Sequence, residues 1–258
     1  LKGSGMVLHD FFLPRDLVKL LREEQITGFA GLRPIWLSMF TSRFKVKEPG
    51  EHDFPHLRYI TNTGGKVPVE IIHKMQRFFP RTEIFLMYGL TEAFRSTYLP
   101  PDQLEQRPTS MGKAIPNVEI LVVDERGDEV GPGEEGELVH RGALVTRGYW
   151  NDAEKTARVF RKSPTLKGQT HLGEVAVFSG DRVKKDDEGY LYFVSRGDQM
   201  IKAAGFRISP TEVEEALLRF SGAANTVFFG NATDDDRDTL ILAAPETGRP
   251  QPDTVKAT

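Results

Sequence analysis

The segment Tyr88-Gly89-Leu90-Thr91-Glu92 combines side chains that would suit one nucleotide site. An aromatic ring can stack on a purine, a threonine hydroxyl can hydrogen-bond a phosphate oxygen, and a glutamate is a hard oxygen ligand for Mg²⁺. Gly89 would let the backbone turn closely between them. The structural alternative is a strand end followed by a helix, with Thr91 as the N-cap and Glu92 beside the positive end of the helix dipole. For this segment alone the structural alternative is favoured.

Two later segments place charged side chains after apolar strands. Ser179-Gly180-Asp181 puts a carboxylate at a predicted strand end, where it could accept hydrogen bonds from both hydroxyls of a ribose. Arg196 follows another predicted strand, and its guanidinium could bind ribose or phosphate in a fixed fork. The structural alternatives are a β-turn aspartate and a surface arginine paired with Asp198 or Glu188.

Other segments indicate less specific chemistry. Thr61-Asn62-Thr63-Gly64-Gly65 lies between a predicted strand and a predicted helix, where backbone amides could face a ligand. It lacks the spacing of a Walker loop or a dinucleotide fingerprint. The six histidines show no helical metal-ligand spacing, and we expect His52 and His56 on the surface. No Gly-x-Ser-x-Gly elbow is present, so no serine triad is predicted.

Alternating periodicity in the first hundred residues predicts the elements that would hold these side chains. Pro14 opens a helix with an apolar face, and 26–30 reads as a buried strand. The pattern then repeats as a strand at 57–60, a glycine turn, a helix from Pro68 and a strand at 83–88. Strands that alternate with helices predict a parallel α/β layer.

After about residue 109 the sequence changes to short strands separated by turns rich in Gly and Asp. Strands are predicted at 118–124, 136–142, 174–178 and 190–194, with an exposed loop at 161–170. Ser209-Pro210-Thr211-Glu212 has the form of a capping box that opens a helix, and strands follow at 225–229 and 239–244.

The sequence therefore predicts an α/β fold in three parts. Residues 1–108 form the α/β portion of a large domain, 109–197 a small β-barrel-like or curled subdomain of it, and 198–258 the start of a small, incomplete α+β C-terminal domain. The chain shows no internal repeat.

Composition favours a folded protein with a small-molecule ligand. The 258 residues are 39% hydrophobic and carry a formal charge of -3, which gives no basic field for nucleic acid or an anionic membrane. There is no cysteine, which excludes disulfides, thiolate metal sites and a cysteine nucleophile. No stretch predicts a signal peptide or a transmembrane segment, so the expected location is the cytoplasm.

In this order, the motifs resemble those of the adenylate-forming superfamily, which contains acyl- and aryl-CoA ligases, firefly luciferases and the adenylation domains of peptide synthetases. Nearly the whole chain aligns with the pattern of that superfamily. The matching segments are 88–92, 136–138 with 148–150, 179–181, 196–198 and residues from Ile201 to Glu212. Ser179 replaces the threonine that is usual in the third segment, a departure that spares Asp181.

The resemblance implies a two-step reaction. A carboxylic acid attacks the α-phosphate of ATP to give an acyl-adenylate and pyrophosphate, and the thiol of coenzyme A then displaces AMP. Tyr88 would stack on adenine, Thr91 would touch phosphate, and Glu92 would hold Mg²⁺. The nucleotide-binding residues implied are Gly64, Gly65, Tyr88, Gly89, Thr91, Asp181, Arg196 and Gly205, and the catalytic residues are Thr91, Glu92 and Lys202.

The resemblance also implies a moving C-terminal domain. Asp198 matches the hinge about which that domain rotates between the half-reactions, and Lys202 and Gly205 would approach the site for the thiol step. The phosphate loop and the C-terminal lysine of the superfamily find no match in these 258 residues. We therefore expect an internal fragment, roughly half of such an enzyme, that does not adenylate by itself.

Within the superfamily, segments 151–156 and 208–212 favour an acyl-CoA ligase over an adenylation domain that loads a carrier protein. A third alternative is a noncatalytic nucleotide-binding protein, which the intact site residues argue against. The resemblance implies an acyl pocket lined partly by residues 31–36 and by residues near 87 and 89. The apolar residues there would suit an apolar acid such as a fatty acid; they are Leu32, Ile35, Trp36 and Met87. The alternative is that they are core residues, which is favoured for Leu32 and Ile35. The sequence predicts no oligomeric state.

Overall fold

The computed structural model describes residues 5–8, 13–41, 54–164 and 174–197, and the backbone of strands at 201–203, 206–208, 227–231 and 239–243. The chain divides into two compact units, Leu1–Gly197 and Asp198–Thr258. In the first unit, helices and strands alternate before a run of strands, so the predicted α/β class is confirmed.

The helices are few and short. They are α1 (Pro14–Glu23), α2 (Arg33–Thr41), α3 (Val69–Phe78) and α4 (Ala153–Val159). Pro14 stands in the first turn of α1, where its missing N–H costs nothing. Leu17, Val18 and Leu21 lie on one buried face of α1, and Ile72 and Met75 do the same for α3.

The strands of the first unit build one ten-stranded sheet. They are β1 (Gly28–Leu32), β2 (Tyr59–Thr63), β3 (Glu83–Leu90), β4 (Ala93–Leu99), β5 (Ser110–Ala114), β6 (Val118–Val123), β7 (Glu135–Gly142), β8 (Phe160–Lys162), β9 (Val175–Lys185) and β10 (Leu191–Arg196). Their order is β1-β2-β3-β4-β5-β10-β9-β7-β6, with β8 also paired to β9. The pairs β1–β2 and β2–β3 are parallel, and the others are antiparallel.

The sequence predicted a small barrel-like or curled sheet for residues 109–197. The structure shows that this β-rich half is not a closed barrel. The strand order has two ends, β1 and β6, and in the described part of the chain β6 makes its ladder with β7 alone. Apolar side chains nevertheless cover both faces of this half. Leu138 and Val183 are buried on one face, and Val139 and Ala176 on the other.

Three local predictions were wrong. Residues 26–30 were predicted as a buried strand, but β1 begins at Gly28, lies at the sheet edge and buries only part of its side chains. Arg161 and Lys162 were predicted in a loop but pair with β9 as part of β8. Thr91 and Glu92 do not begin a helix; they form the turn of the β3–β4 hairpin, in which Leu90 pairs with Ala93.

The second unit shows two antiparallel strand pairs. Strand β11 (Ile201–Ala203) pairs with β12 (Phe206–Ile208), and β13 (Val227–Asn231) pairs with β14 (Thr239–Ala243). Only the backbone of Lys202 is described. Asp198, Gly205 and the predicted helix start at 209–212 lie outside the described residues.

The main apolar core belongs to the α/β half. It joins the three N-terminal helices to β2, β3 and β4 through fully buried side chains such as Trp36, Ile60 and Leu99. Trp36 and the half-buried Ile35 are therefore core residues, whereas Leu32 is 48% exposed and the core interpretation fails for it.

Candidate nucleotide site

Tyr88 lies near the end of β3 and meets side chains from two distant strands. Its hydroxyl donates a hydrogen bond to Oδ2 of Asp181 on β9. Its ring stacks on the imidazole of His140 on β7, with centroids 5.9 Å apart and planes 16° apart. Burial and the neighbouring Asp181 carboxylate both raise the pKa of Tyr88, so its hydroxyl stays protonated and acts as a donor.

Asp181 lies inside β9 rather than at a strand end, which corrects the prediction. Along β9, Phe178 pairs with Val139 and Arg182 pairs with Glu137, so extra residues at 179–181 bulge out of the ladder. The hydroxyl of Ser179 donates to the carbonyl of Leu138 at 2.7 Å and fixes this bulge. The Asp181 residue is 6% exposed.

Arg196 ends β10 directly opposite Asp181 in the ladder. Its Nη1 lies 3.4 Å from Oδ1 of Asp181, so the pair is an ion pair with the arginine side still half-exposed. The sequence analysis gave a pair between Arg196 and Glu188 as one alternative. In the structure Glu188 instead accepts a hydrogen bond from Arg107. Tyr88, Asp181 and Arg196 thus meet at one point although the sequence separates them widely.

His140 is the residue of this cluster that the sequence did not indicate. It is fully buried, and neither ring nitrogen has a hydrogen-bond partner among the described residues. Burial lowers the pKa of His140 to about 4, so the ring is neutral at physiological pH. The alternation of β7, which places His140 on the same face as buried Leu138, was the available signal for an inward ring.

Glu92 is held by the segment that follows β7. The hydroxyl of Tyr149 donates to Oε1 of Glu92, and the amide of Thr146 donates to the Glu92 carbonyl at 2.9 Å. Burial, and then the hydrogen bond to Glu92, raises the pKa of Tyr149 to about 12. Thr91, beside Glu92 in the turn, is exposed. The sequence matched the motif containing Tyr149 but gave this residue no role.

The turn at Gly64 and Gly65 lies at the end of β2 and requires glycine. Both residues have positive φ, 73° and 126°, a region that side chains disfavour. A Cβ on Gly64 would lie 3.2 Å from the Leu32 side chain, and one on Gly65 would lie 3.3 Å from that of Arg33. The turn is therefore closely covered by the residues that join β1 to α2.

Buried Asn62 ties this turn to the core. Its Oδ1 accepts a hydrogen bond of 2.9 Å from Nε1 of Trp36, and its Nδ2 donates to the carbonyl of Gly65 at 3.2 Å. In the parallel β2–β3 ladder Asn62 pairs with Leu86. Gly64 follows Asn62 by two residues, and Tyr88 follows Leu86 by two residues. Because the two strands are parallel, Gly64 and Tyr88 lie at the same edge of the sheet.

The side chains at this site have the chemistry to hold a nucleotide and its magnesium ion. Asp181 offers a buried carboxylate to sugar hydroxyls, and Tyr88 offers an aromatic ring beside it. Among the described residues no three His, Cys, Asp or Glu side chains cluster as a metal site. A single carboxylate such as Glu92 suits Mg²⁺, which takes one or two protein carboxylates and completes its shell with phosphate and water.

The sequence is similar to a known protein family and to characterised proteins. The family model described as AMP-binding enzyme matches residues 1–150. The long-chain-fatty-acid–CoA ligase of Salmonella typhimurium is 31% identical over 222 residues, which are 84% of this chain and 36% of that protein. Tyrocidine synthase 3 of Brevibacillus parabrevis is 30% identical over 223 residues, 86% of this chain and 3% of that protein.

A solved structure shows the same fold. The o-succinylbenzoate coenzyme A synthetase of Bacillus subtilis, in complex with ATP and a magnesium ion, superposes with a TM-score of 0.71 at 22% identity. The match covers 91% of this chain and 44% of that one. The chain therefore spans less than half the length of the ligase and the synthetase that it matches. In the described part of the chain, no helix combines the length and apolarity needed to cross a bilayer.

Proposed function

Because this chain belongs to the AMP-binding enzyme family, we propose that its protein is an AMP-forming carboxylate–CoA ligase. The observation that carries the proposal is that the side chains of Tyr88 and Arg196, from two different strands, both contact the buried carboxylate of Asp181 on a third strand. The similarity to a long-chain-fatty-acid–CoA ligase supports a fatty acid as the acyl substrate.

The reaction has two steps. A carboxylate oxygen forms a bond to the α-phosphorus of ATP while the bond to the bridging oxygen breaks, and pyrophosphate leaves with the electron pair. The thiol of coenzyme A then loses its proton, its sulfur bonds to the acyl carbon, and AMP leaves. Such chemistry needs reactants held in line and charge stabilised around the phosphate, which is what a preorganised polar site supplies.

Each residue at the sheet edge has a proposed role. Asp181 accepts hydrogen bonds from ribose hydroxyls, Arg196 supports that carboxylate and the sugar, and Tyr88 packs on the base whose other side faces the turn at Gly64 and Gly65. Thr91 contacts phosphate. Glu92 holds Mg²⁺, which neutralises phosphate charge when bound.

The thiol step is proposed for the second unit. Asp198 is its hinge, and Lys202 and Gly205 approach the acyl-adenylate. The family resemblance alone supports these three roles. The cytoplasmic location of the protein also stays a prediction from the sequence.

Nucleotide binding tests the proposal directly. We expect the 258-residue chain to bind AMP in calorimetric titration, and Asp181→Asn to weaken that binding about 10- to 100-fold, because hydrogen bonds to a charged acceptor contribute about 1.5–3 kcal/mol. Asp187→Asn is the control, since Asp187 is an exposed turn residue. Equal AMP affinity in both variants would contradict the site.

A carrier-loading adenylation domain is the second candidate, and the similarity to tyrocidine synthase 3 favours it. The acceptor separates the two functions. Supplied with a synthetic acyl-adenylate, a CoA ligase transfers the acyl group to coenzyme A, whereas a carrier-loading domain transfers it to a phosphopantetheinylated carrier protein. If the intact protein that contains this chain binds AMP but acylates neither acceptor and exchanges no pyrophosphate with ATP, it would fit the noncatalytic alternative.

A further inference from the structure

Tyr149 contacts the side chain of Glu92 but has no role among the proposed nucleotide contacts. Its hydroxyl donates to Oε1 of Glu92. The carboxylate has a second oxygen, and a hydrogen bond at one oxygen fixes the direction in which the other points. A metal ligand that is fixed in this way loses less freedom when it binds.

The backbone around Glu92 is anchored to the same segment. The Glu92 carbonyl accepts a hydrogen bond of 2.9 Å from the amide of Thr146, and Ala93 forms an antiparallel bridge with Val145. Main chain and side chain of Glu92 are thus both held by residues 145–149. The hairpin turn cannot shift without moving Tyr149 as well.

Helix α4 in turn holds Tyr149. The amide of Tyr149 donates to Oγ1 of Thr156 at 2.9 Å, and that hydroxyl donates to the carbonyl of Asp152 at 2.7 Å. Asp152 caps α4 by accepting from the amide of Lys155 at 2.9 Å. The cap, the threonine and the tyrosine form one connected chain of hydrogen bonds that ends at the Glu92 carboxylate.

The Tyr149 ring is fixed from two sides. The ammonium of Lys155 lies 4.1 Å from the ring centroid, and Phe160 meets the ring edge-on with centroids 5.8 Å apart. A phenylalanine at this position would keep both ring contacts and lose only the hydroxyl. The hydroxyl can therefore be tested without disturbing the packing.

We propose that Tyr149 is a positioning residue for Glu92: it occupies one carboxylate oxygen and directs the other toward a magnesium ion bound to the nucleotide. The inference rests on the proposed function, because it takes Glu92 as the magnesium ligand. It gives a function to the Gly148-Tyr149-Trp150 segment and to the N-cap of α4. Neither is among the residues proposed to contact the nucleotide.

The test is calorimetric titration of ATP into the 258-residue chain, with excess Mg²⁺ and with EDTA. We expect Tyr149→Phe to weaken binding of Mg²⁺-ATP about 10- to 100-fold, the loss typical of removing a residue that orients a metal ligand, and to leave binding of metal-free ATP unchanged. Tyr59→Phe is the matched control, because Tyr59 is 40% exposed at the far end of β2. It should leave both affinities at their wild-type values.

A second variant tests whether Tyr149 acts through Glu92. Glu92→Gln should lower the magnesium dependence, and Tyr149→Phe should then add little to it, since the two changes remove one interaction. Equal weakening of ATP binding with and without magnesium, or no weakening, would overturn the positioning role while leaving the function intact. A wild-type chain that binds neither AMP nor ATP would overturn the proposed function itself, and the positioning role with it.

Discussion

Tyr88 is restrained on two sides before any ligand arrives. His140 covers one face of its ring, and Asp181 holds its hydroxyl. If Tyr88 stacks on the base as proposed, these two contacts already fix the orientation of its ring. The restraint depends on a neutral imidazole, because a charged one would have to be buried without a partner.

Acid should destabilise the protein through His140. Its pKa falls from about 6.5 in the unfolded chain to about 4 in the folded protein, so the unfolded state binds more protons in this range. The contribution of neutral His140 is fully present above pH 6.5 and is lost as the pH falls toward 4. We expect a loss on the order of 2–3 kcal/mol in the free energy of unfolding between pH 7 and 4.5.

Urea denaturation at the two pH values measures this loss. His140→Leu should remove most of it, whereas a control at exposed His73, His73→Gln, should retain it. The same acid sensitivity in the His140→Leu protein would assign the effect to other groups.

At the scale of elements, the β3–β4 hairpin carries two proposed ligand groups, Tyr88 and Glu92, on either side of Gly89. The ladder shifts register between Tyr88 and Leu90, and the backbone of Arg95 passes directly over Gly89. A Cβ at position 89 would overlap the Arg95 amide nitrogen. The sequence predicted that the backbone turns closely at Gly89. The structure shows that this residue lies at an irregularity in the pairing of β3 with β4.

Gly89→Ala should therefore destabilise the hairpin. We expect a loss of about 2–3 kcal/mol in the free energy of unfolding, because backbone atoms must move to admit the methyl group. Gly131→Ala is a suitable control, since the nearest atom to a Cβ there is a flexible Glu134 carboxylate oxygen at 3.4 Å. That control should change stability by less than about 0.5 kcal/mol. Similar midpoints in urea for both variants would show that the hairpin can relax.

The elements also show how far sequence reasoning reaches. Periodicity located α1, α3 and most strands of the β-rich half, because their apolar positions repeat at 3.6 or 2 residues. It could not show that β9 continues past Ser179-Gly180-Asp181, since a bulge and a turn share the same residues. What distinguishes them is pairing with β7 and β10, which are distant in sequence. His140 was missed because a lone histidine in a strand carries no chemical signature.

At the scale of the molecule, one sheet runs through both halves of the first unit. Strand β5 pairs with β4 on one side and with β10 on the other, so the parallel layer and the antiparallel half share a continuous ladder. The predicted division near residue 108 falls inside this sheet. The proposed ligand contacts come from both halves, with Tyr88 on β3 and Asp181 on β9.

A continuous sheet should unfold as one cooperative unit. The chain has two tryptophans, and Trp150→Phe removes the exposed one and leaves buried Trp36 to report on the α/β half. In that background Leu138→Ala, a cavity in β7, should reduce stability by about 2–5 kcal/mol and lower the Trp36 fluorescence midpoint by roughly 1–2 M urea. Val175→Ala, at a 47% exposed position of β9, is the control. An unchanged midpoint for Leu138→Ala would mean that the halves unfold separately.

The position of Asp181 inside an eleven-residue strand has a consequence for selectivity. A carboxylate on a loop can follow its ligand, whereas Asp181 is held by its pairing with Arg196 in the β9–β10 ladder and by the side chains of Tyr88 and Arg196. If Asp181 binds the ribose as proposed, discrimination at the sugar follows from the position that this carboxylate takes in the folded protein. A deoxynucleotide would then lose one hydrogen bond to this carboxylate, which Tyr88 and Arg196 continue to hold in the same place.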